Sequence, residues 1–304
     1  MTAERLDLVS SAARAPMPRD PDDLLVRIDE PVGAGQRRSW YVALKERRRT
    51  WAAIRGFREV LLIAAVYTMY DLTRYLVEGK TSVALGHGGD LLRLENAIGM
   101  APEHALNRVF TAHLSLALPA DYIYATLHYI VTPIVLVWMW RRHSSSYAPA
   151  RTVLMVATIL ALVGYSLFPV APPRLLHGYL DTMAQFSHYG WWSNAASAPR
   201  GLGADTNQFA AMPSLHVGWA IWCGWMLVRH GRHRITKIFG VAYPLILSFD
   251  VMVTANHYLL DVIGGGLVMA VAYGAVRLLA RAGIVTFPHP EAGNLTPAAE
   301  PAPA

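Results

Sequence analysis

Six stretches of this chain are apolar over roughly the twenty residues that a helix needs to cross a bilayer core, which leaves few folds open. They lie at about 57–77, 121–140, 151–168, 213–229, 237–255 and 257–279. In hydrocarbon every backbone polar group must find its partner within the chain, so such stretches are expected to be helices. Composition agrees: of 304 residues, 54% are hydrophobic and 16% charged, whereas soluble domains carry about a quarter charged residues. A cytosolic globular protein and a mainly disordered chain are both excluded. Nine Trp and fourteen Tyr suit a protein with two water–lipid boundaries. The single Cys223 excludes a disulfide framework and a cysteine-built metal cluster, and reads as a small buried hydrophobe.

The expected fold is all-α, a polytopic membrane bundle of six transmembrane helices with an extra interfacial helix. That extra helix is read at Glu103–Leu118, where Leu106, Val109, Phe110, Leu114 and Ala117 recur at helical spacing. The first span is the weakest, because Asp71 and Arg74 interrupt its outer end. Residues 1–56 form a basic, partly disordered segment without the apolar core of a signal peptide. Within it, Trp40–Arg55 reads as a basic helix on anionic headgroups or as a solvated one. A catalytic membrane domain at 57–283 follows, then a Pro/Ala-rich tail at 284–304 expected to be unstructured. With both termini in the cytoplasm, 21 of the 27 Lys and Arg fall on cytoplasmic segments, as the positive-inside rule requires. The basic charge is therefore topological, which argues against a nucleic-acid partner, and a multi-pass plasma-membrane protein is expected.

Three short stretches fall at the outer face in this topology. They are Phe168–Arg174 (FPVAPPR), Met212–His216 (MPSLH) and Asn256–Asp261 (NHYLLD). His257 and Asp261, four residues apart, share a helix face. The acid could fix the tautomer of the ring and leave one nitrogen free as a nucleophile; a simple helix-end hydrogen bond is the alternative. Pro213-Ser-Leu-His216 reads as a helix start, whose free amides at Ser214, Leu215 and His216 suit a phosphate. The Ser214 hydroxyl could cap the helix or donate to phosphate, and His216 could act as general acid. Arg174, beyond a Pro-Pro corner, could clamp two phosphate oxygens or serve as a snorkelling anchor. Asp250 in the fifth span is a structural or an auxiliary functional residue. Gly264–Gly266 would let helices approach closely, and Trp191 and Trp192 would sit at the outer interface or line a path for lipid.

Pro-Ser-x-His followed some forty residues later by His-x-x-x-Asp, within six spans, resembles the type 2 phosphatidic acid phosphatase superfamily of lipid phosphatases and phosphotransferases. The Pro-Pro-Arg corner and the Ala-Met-Pro-Ser-Leu-His wording look closer to its inositolphosphorylceramide-synthase-like branch. The resemblance covers about residues 100–280. It implies that His257 forms a phosphohistidine, Asp261 orients it, and His216 protonates the leaving group. It also assigns phosphate binding to Arg174 and Ser214, with backbone donation at Leu215. The sequence departs from the family at three points. Leu167 stands where the family has a Lys seven residues before its Arg, Asp250 and Val251 stand where it has Ser-Arg, and Leu215 replaces a Gly. Two phosphate-binding cations are thus missing, for which Arg200, Asn207 or Asn256 could compensate. These departures favour the divergent branch, or an enzyme that has lost activity.

The leading expectation is an integral-membrane lipid phosphatase or phosphotransferase acting on a phospholipid or lipid phosphate at the extracytoplasmic face. Water or a polyol such as inositol would be the acceptor, and no metal or other cofactor is required. A metal-dependent hydrolase built on His216, His257 and Asp261 is one alternative, and a non-enzymatic transporter or scaffold is another.

Overall fold

Helix is the recurring solution where the chain is apolar, and the computed structural model has this form over the residues it describes, 56–66, 68, 69, 72, 80–192 and 207–287. The chain divides into two compact units, Met1–Ala65 and Val66–Ala304. Of the first, residues 56–65 are helical and leave Phe57, Val60, Leu61 and Ile63 exposed. The rest of the basic segment, most of the outer part of the first expected span and the tail from 288 onward lie outside the described residues.

The second unit contains seven long helices among its described residues: α1 (Thr81–Ala97), α2 (Glu103–Ala112), α3 (Leu114–Arg142), α4 (Ser144–Leu167), α5 (Leu215–His230), α6 (Arg234–Val253) and α7 (Leu259–Arg281). The described residues form no strand, only an isolated bridge between Val170 and Ala210. Among the described residues four helices, α3, α4, α6 and α7, are long and apolar enough to cross a membrane. The expected fourth span is shorter. Ser214 caps α5, its hydroxyl accepting from the Val217 amide at 3.4 Å, and Gly231 leaves the helical region after only 16 residues. At about 1.5 Å of rise per residue, that length spans less than a full hydrocarbon core.

Apolar side chains stand outward as well as inward, as a lipid solvent requires. Ile130 and Ile134 of α3, Val163 of α4, Val241 and Leu245 of α6, and Leu267 and Val271 of α7 are all exposed. Inside, Val135, Met139, Trp222, Cys223, Tyr243 and Leu247 join α3, α5 and α6 in one cluster, where Cys223 is the buried hydrophobe expected. Helices α5 and α6 meet through Gly224 and Gly240, each so close to the other's carbonyl oxygen that a Cβ there would overlap it. A hairpin turn at His143 reverses the chain between α3 and α4, and the His143 ring lies 4.8 Å from that of His230 at the end of α5. Arg141, Arg142, Arg229 and Arg234 therefore mark one end of the bundle, and the three motifs mark the other.

Two elements differ from expectation. The interfacial helix stops at Ala112, because His113 adopts an extended conformation and Leu114 already opens α3. Its buried face is polar: Glu103, Asn107 and Thr111 point inward while Val109 is exposed. Asn107 ties it to the bundle by donating to Leu180 O at 2.9 Å and Val253 O at 3.2 Å. In lipid the apolar face turns out and the polar face turns in, the reverse of a soluble amphipathic helix. Helix α1 was not expected at all, since Gly86, Gly88 and Gly89 and scattered charges erase its apolar stripe. Tertiary contacts define it instead. The Ala171 amide donates to Ala84 O at 2.9 Å, and Gly88 sits against Ala171 O and Tyr258 Oη where no side chain would fit.

Candidate active site

The three motifs converge. The Pro-Pro-Arg corner forms a turn at Pro173–Leu175, and the Arg174 amide donates to Ala255 O at 2.8 Å. The first motif is thereby tied to the bend between α6 and α7, where Ala255 takes a positive φ of 54°. The start of α5 is tied to α7 by the Ser214 amide, which donates to Asp261 O at 3.0 Å. Tyr165 of α4 donates to Pro213 O at 2.5 Å and fixes the same entry.

His257 is nearly fully buried. Its Nδ1 lies 2.8 Å from Ala211 O and 3.3 Å from Asp261 Oδ2. A carbonyl can only accept, so Nδ1 carries the proton and Nε2 keeps its lone pair. The tautomer is thus fixed by two acceptors, of which the carbonyl is the nearer and Asp261 the second. Asp261 is held in turn, since its Oδ2 also accepts from the Tyr258 amide at 3.0 Å.

The His216 ring stands 5.6 Å from that of His257, edge to face. It stacks on Tyr124 at 4.6 Å and meets the edge of His128 at 4.3 Å. His216 Nε2 and His128 Nδ1 are buried without a hydrogen-bond partner among the described residues. Three imidazoles therefore form a row.

Arg174 is buried, and its guanidinium is held on two sides. Nε donates to Asn256 Oδ1 at 3.1 Å, and Nη1 pairs with Asp181 Oδ2 at 2.9 Å. Neither contact uses Nη2. Asp181 is itself fixed by accepting from the Ala184 amide at 2.9 Å.

The remaining expected residues divide clearly. Ser214 is fully buried as the cap of α5, and the amides of Leu215 and His216 open that helix, where no intrahelical acceptor exists. Asn256 belongs to the site through Arg174. Asn207 is buried and spends its Oδ1 on the Phe209 amide at 3.0 Å. Asp250 is buried near Asp121 of α3, whose Oδ1 accepts from Thr182 at 2.7 Å. No hydrogen bond joins Asp250 to Arg174 or the histidines. Arg200 lies outside the described residues. The two tryptophans part company: Trp192 is fully buried and donates to Met183 O at 2.9 Å, while Trp191 is exposed. As for a metal triad, the Asp261 oxygen nearest the histidines is already committed to His257 Nδ1 and the Tyr258 amide. The described residues contain no group of three His, Cys, Asp or Glu arranged to hold an ion.

Sequence reasoning missed Tyr124, His128, Asp181, Tyr258 and Glu95. A signal existed for the first two: Asp121, Tyr124, Ala125 and His128 follow an i, i+3, i+4, i+7 pattern in α3, and all are buried. A polar stripe of that kind within a span points to function or to polar partners. Glu95 had no signal, since its partner is a backbone amide 165 positions away.

No curated protein and no solved structure matches the chain significantly. The family model described as the PAP2 superfamily does match, over residues 89–275, which is more than half of the chain and takes in all three motifs. The chain is therefore a member of the PAP2 superfamily.

Proposed function

We propose that the protein transfers the phosphoryl or phospho-head group of a membrane lipid through a phosphohistidine at His257. Membership of the PAP2 superfamily implies a phosphatase-type enzyme acting on phosphorylated lipids within a membrane. The observation that carries the finer reading is the His257 tautomer: Nδ1–H is bonded to Ala211 O and Asp261, which leaves Nε2 as the nucleophile.

In this reading Nε2 attacks phosphorus while the bond from phosphorus to the leaving alcohol breaks, and His216 Nε2 gives that oxygen its proton. An acceptor hydroxyl then attacks the phosphohistidine, His216 takes back a proton, and the bond from nitrogen to phosphorus breaks. Arg174 Nη2 and the opening amides of Leu215 and His216 stabilise the oxyanions. Ser214 and Asn256 act by holding these groups in place. The active face is extracytoplasmic in this proposal, since Arg141, Arg142, Arg229 and Arg234 collect at the opposite end of the bundle.

Charge favours a phosphodiester substrate, which bears one negative charge, over a monoester, which approaches two. The family's Lys position is Leu167, whose side chain is 79% exposed, and its Arg position is Val251, which is fully buried among apolar neighbours. The remaining cation, Arg174, is already paired with Asp181. Head-group transfer from a phospholipid to a polyol fits this electrostatics better than hydrolysis of phosphatidic acid.

The test uses purified full-length protein in detergent with a strong chelator present. Phosphate release from phosphatidic acid and transfer of the phosphoinositol group of phosphatidylinositol to radiolabelled inositol, with diacylglycerol as the leaving alcohol, are measured side by side. Head-group transfer exceeding phosphate release, with both abolished in His257→Ala and an acid-labile phosphoprotein trapped only in the wild type, is the expected result. Activity retained in His257→Ala would overturn the mechanism.

A further inference from the structure

Glu95 of α1 and Glu103 of α2 are fully buried, and no Lys, Arg or His pairs with either among the described residues. Two adjacent buried carboxylates would repel each other with no solvent to screen them. Their four oxygens divide in a way that resolves this. Glu95 Oε1 accepts from the Leu260 amide at 2.6 Å, and Glu103 Oε1 accepts from Tyr179 Oη at 3.2 Å. The two Oε2 atoms are left without a partner, and the carboxyl groups are near enough to interact directly. A single proton between them would satisfy both. The Leu260 amide belongs to the first turn of α7 and lies in the chain between His257 and Asp261.

We propose that Glu95 and Glu103 share one proton and act as a positioning pair that sets the His257–Asp261 end of α7. The groups facing Glu95 are Glu103 from α2, Tyr179 from the loop after the Pro-Pro-Arg corner, and Tyr258 and Asp261 from the start of α7. All are acidic or neutral. Burial, and then the neighbouring carboxyls of Glu103 and Asp261, push the Glu95 carboxyl up from 4.5 to about 8, against the pull of the Leu260 amide. Burial, and then the Glu103 carboxyl, likewise push the Tyr179 phenol upward. Glu95 therefore keeps its proton at neutral pH. Above about pH 8 a second buried charge develops beside Asp261 and forces α1 and α2 apart.

The sign of the linkage follows. A carboxyl raised in the folded state binds its proton more tightly there than in the unfolded chain. Its contribution to stability is complete below about 4.5 and is lost as pH rises through about 8. Glu95→Gln mimics the protonated pair at every pH, because its carbonyl accepts from Leu260 and its amide donates to Glu103. Glu95→Ala removes both contacts.

The inference rests on the catalytic reading of His257, so two measurements keep the failures apart. The first is kcat for head-group transfer to inositol against pH, on the full chain in detergent. The wild type should lose activity as pH passes about 8, Glu95→Gln should hold its activity about one unit higher, and Glu95→Ala should lose about tenfold in kcat with KM unchanged. The second is thermal unfolding against pH, which needs no activity. The wild-type midpoint should fall as pH rises from about 4.5 to about 8, and that of Glu95→Gln should stay level. Parallel unfolding curves would overturn the shared proton whatever the kinetics show. Diverging unfolding curves with identical alkaline limbs in kcat would overturn the positioning role.

Discussion

The contact that brings His216 and His257 together is made of backbone, so it can be tested with one methyl group. A Cβ on Gly265 of α7 would stand well inside 3.0 Å of Ser214 O, a separation that real Cβ atoms essentially never show, and 3.3 Å from the Gly218 amide nitrogen. Neither atom belongs to a side chain that could swing away. Restoring the ordinary 3.4–4 Å contact requires α7 to retreat from α5 by about 1 Å, and overpacking of this kind costs about 1–3 kcal/mol of stability. The two rings now lie 5.6 Å apart, and a misplacement of about 1 Å between reacting groups can cost on the order of 100-fold in rate. Gly265→Ala should therefore lose about 100-fold in kcat while still folding. The neighbours calibrate this. A Cβ on Gly264 meets Pro213 Cβ at 3.3 Å, and one on Gly266 meets only Ile221 Cδ1 at 3.5 Å. The expected order of loss is Gly265→Ala, then Gly264→Ala, then Gly266→Ala at the wild-type level. The assay is steady-state head-group transfer to inositol, with thermal unfolding as the folding control. A wild-type kcat in Gly265→Ala, or an equal loss in Gly266→Ala, would refute the reasoning.

Arg174→Lys keeps the charge but gives up the fork that reaches Asn256 and Asp181 at once; kcat/KM should fall about 100-fold, equivalent to roughly 2–3 kcal/mol. Asp181→Asn should cost less and raise mainly KM, as measured in the same assay, because Arg174 keeps Asn256. Tyr165→Phe leaves Pro213 O without its donor and should lower stability by about 1–3 kcal/mol, read from thermal unfolding in detergent. Trp192→Ala empties a fully buried site and should cost about 3–5 kcal/mol, whereas Trp191→Ala, on an exposed ring, should stay within about 0.5 kcal/mol of the wild type in the same measurement.

What could be read from the sequence follows from how local each signal is. Apolar length announces a membrane helix without reference to anything else, so α3, α4, α6 and α7 were legible. His257 and Asp261 were legible as a pair because four residues of helix place them together. The cap at Ser214 likewise needs only the residues that follow it. Helix α5 was legible too, expected at 213–229 and found at Leu215–His230, although its 16 residues are fewer than a full span needs. Nothing local announces Glu95 or Asp181 as partners of the site, since each acquires its meaning from a distant chain segment. The polar face of α2 shows the deeper reason. Glu103, Asn107 and Thr111 recur every four residues, a pattern that soluble-protein reasoning assigns to water, with apolar Val109 and Phe110 assigned to the core. With lipid as the outer solvent the assignment inverts: apolar atoms lose nothing by facing outward, and each carboxyl or amide must turn inward to find a donor or acceptor. In such a protein the polar stripe, more than the apolar one, marks the face that packs. Applied to α3, the same rule selects Asp121, Thr132 and His128, which are buried while Ile130 and Ile134 are exposed.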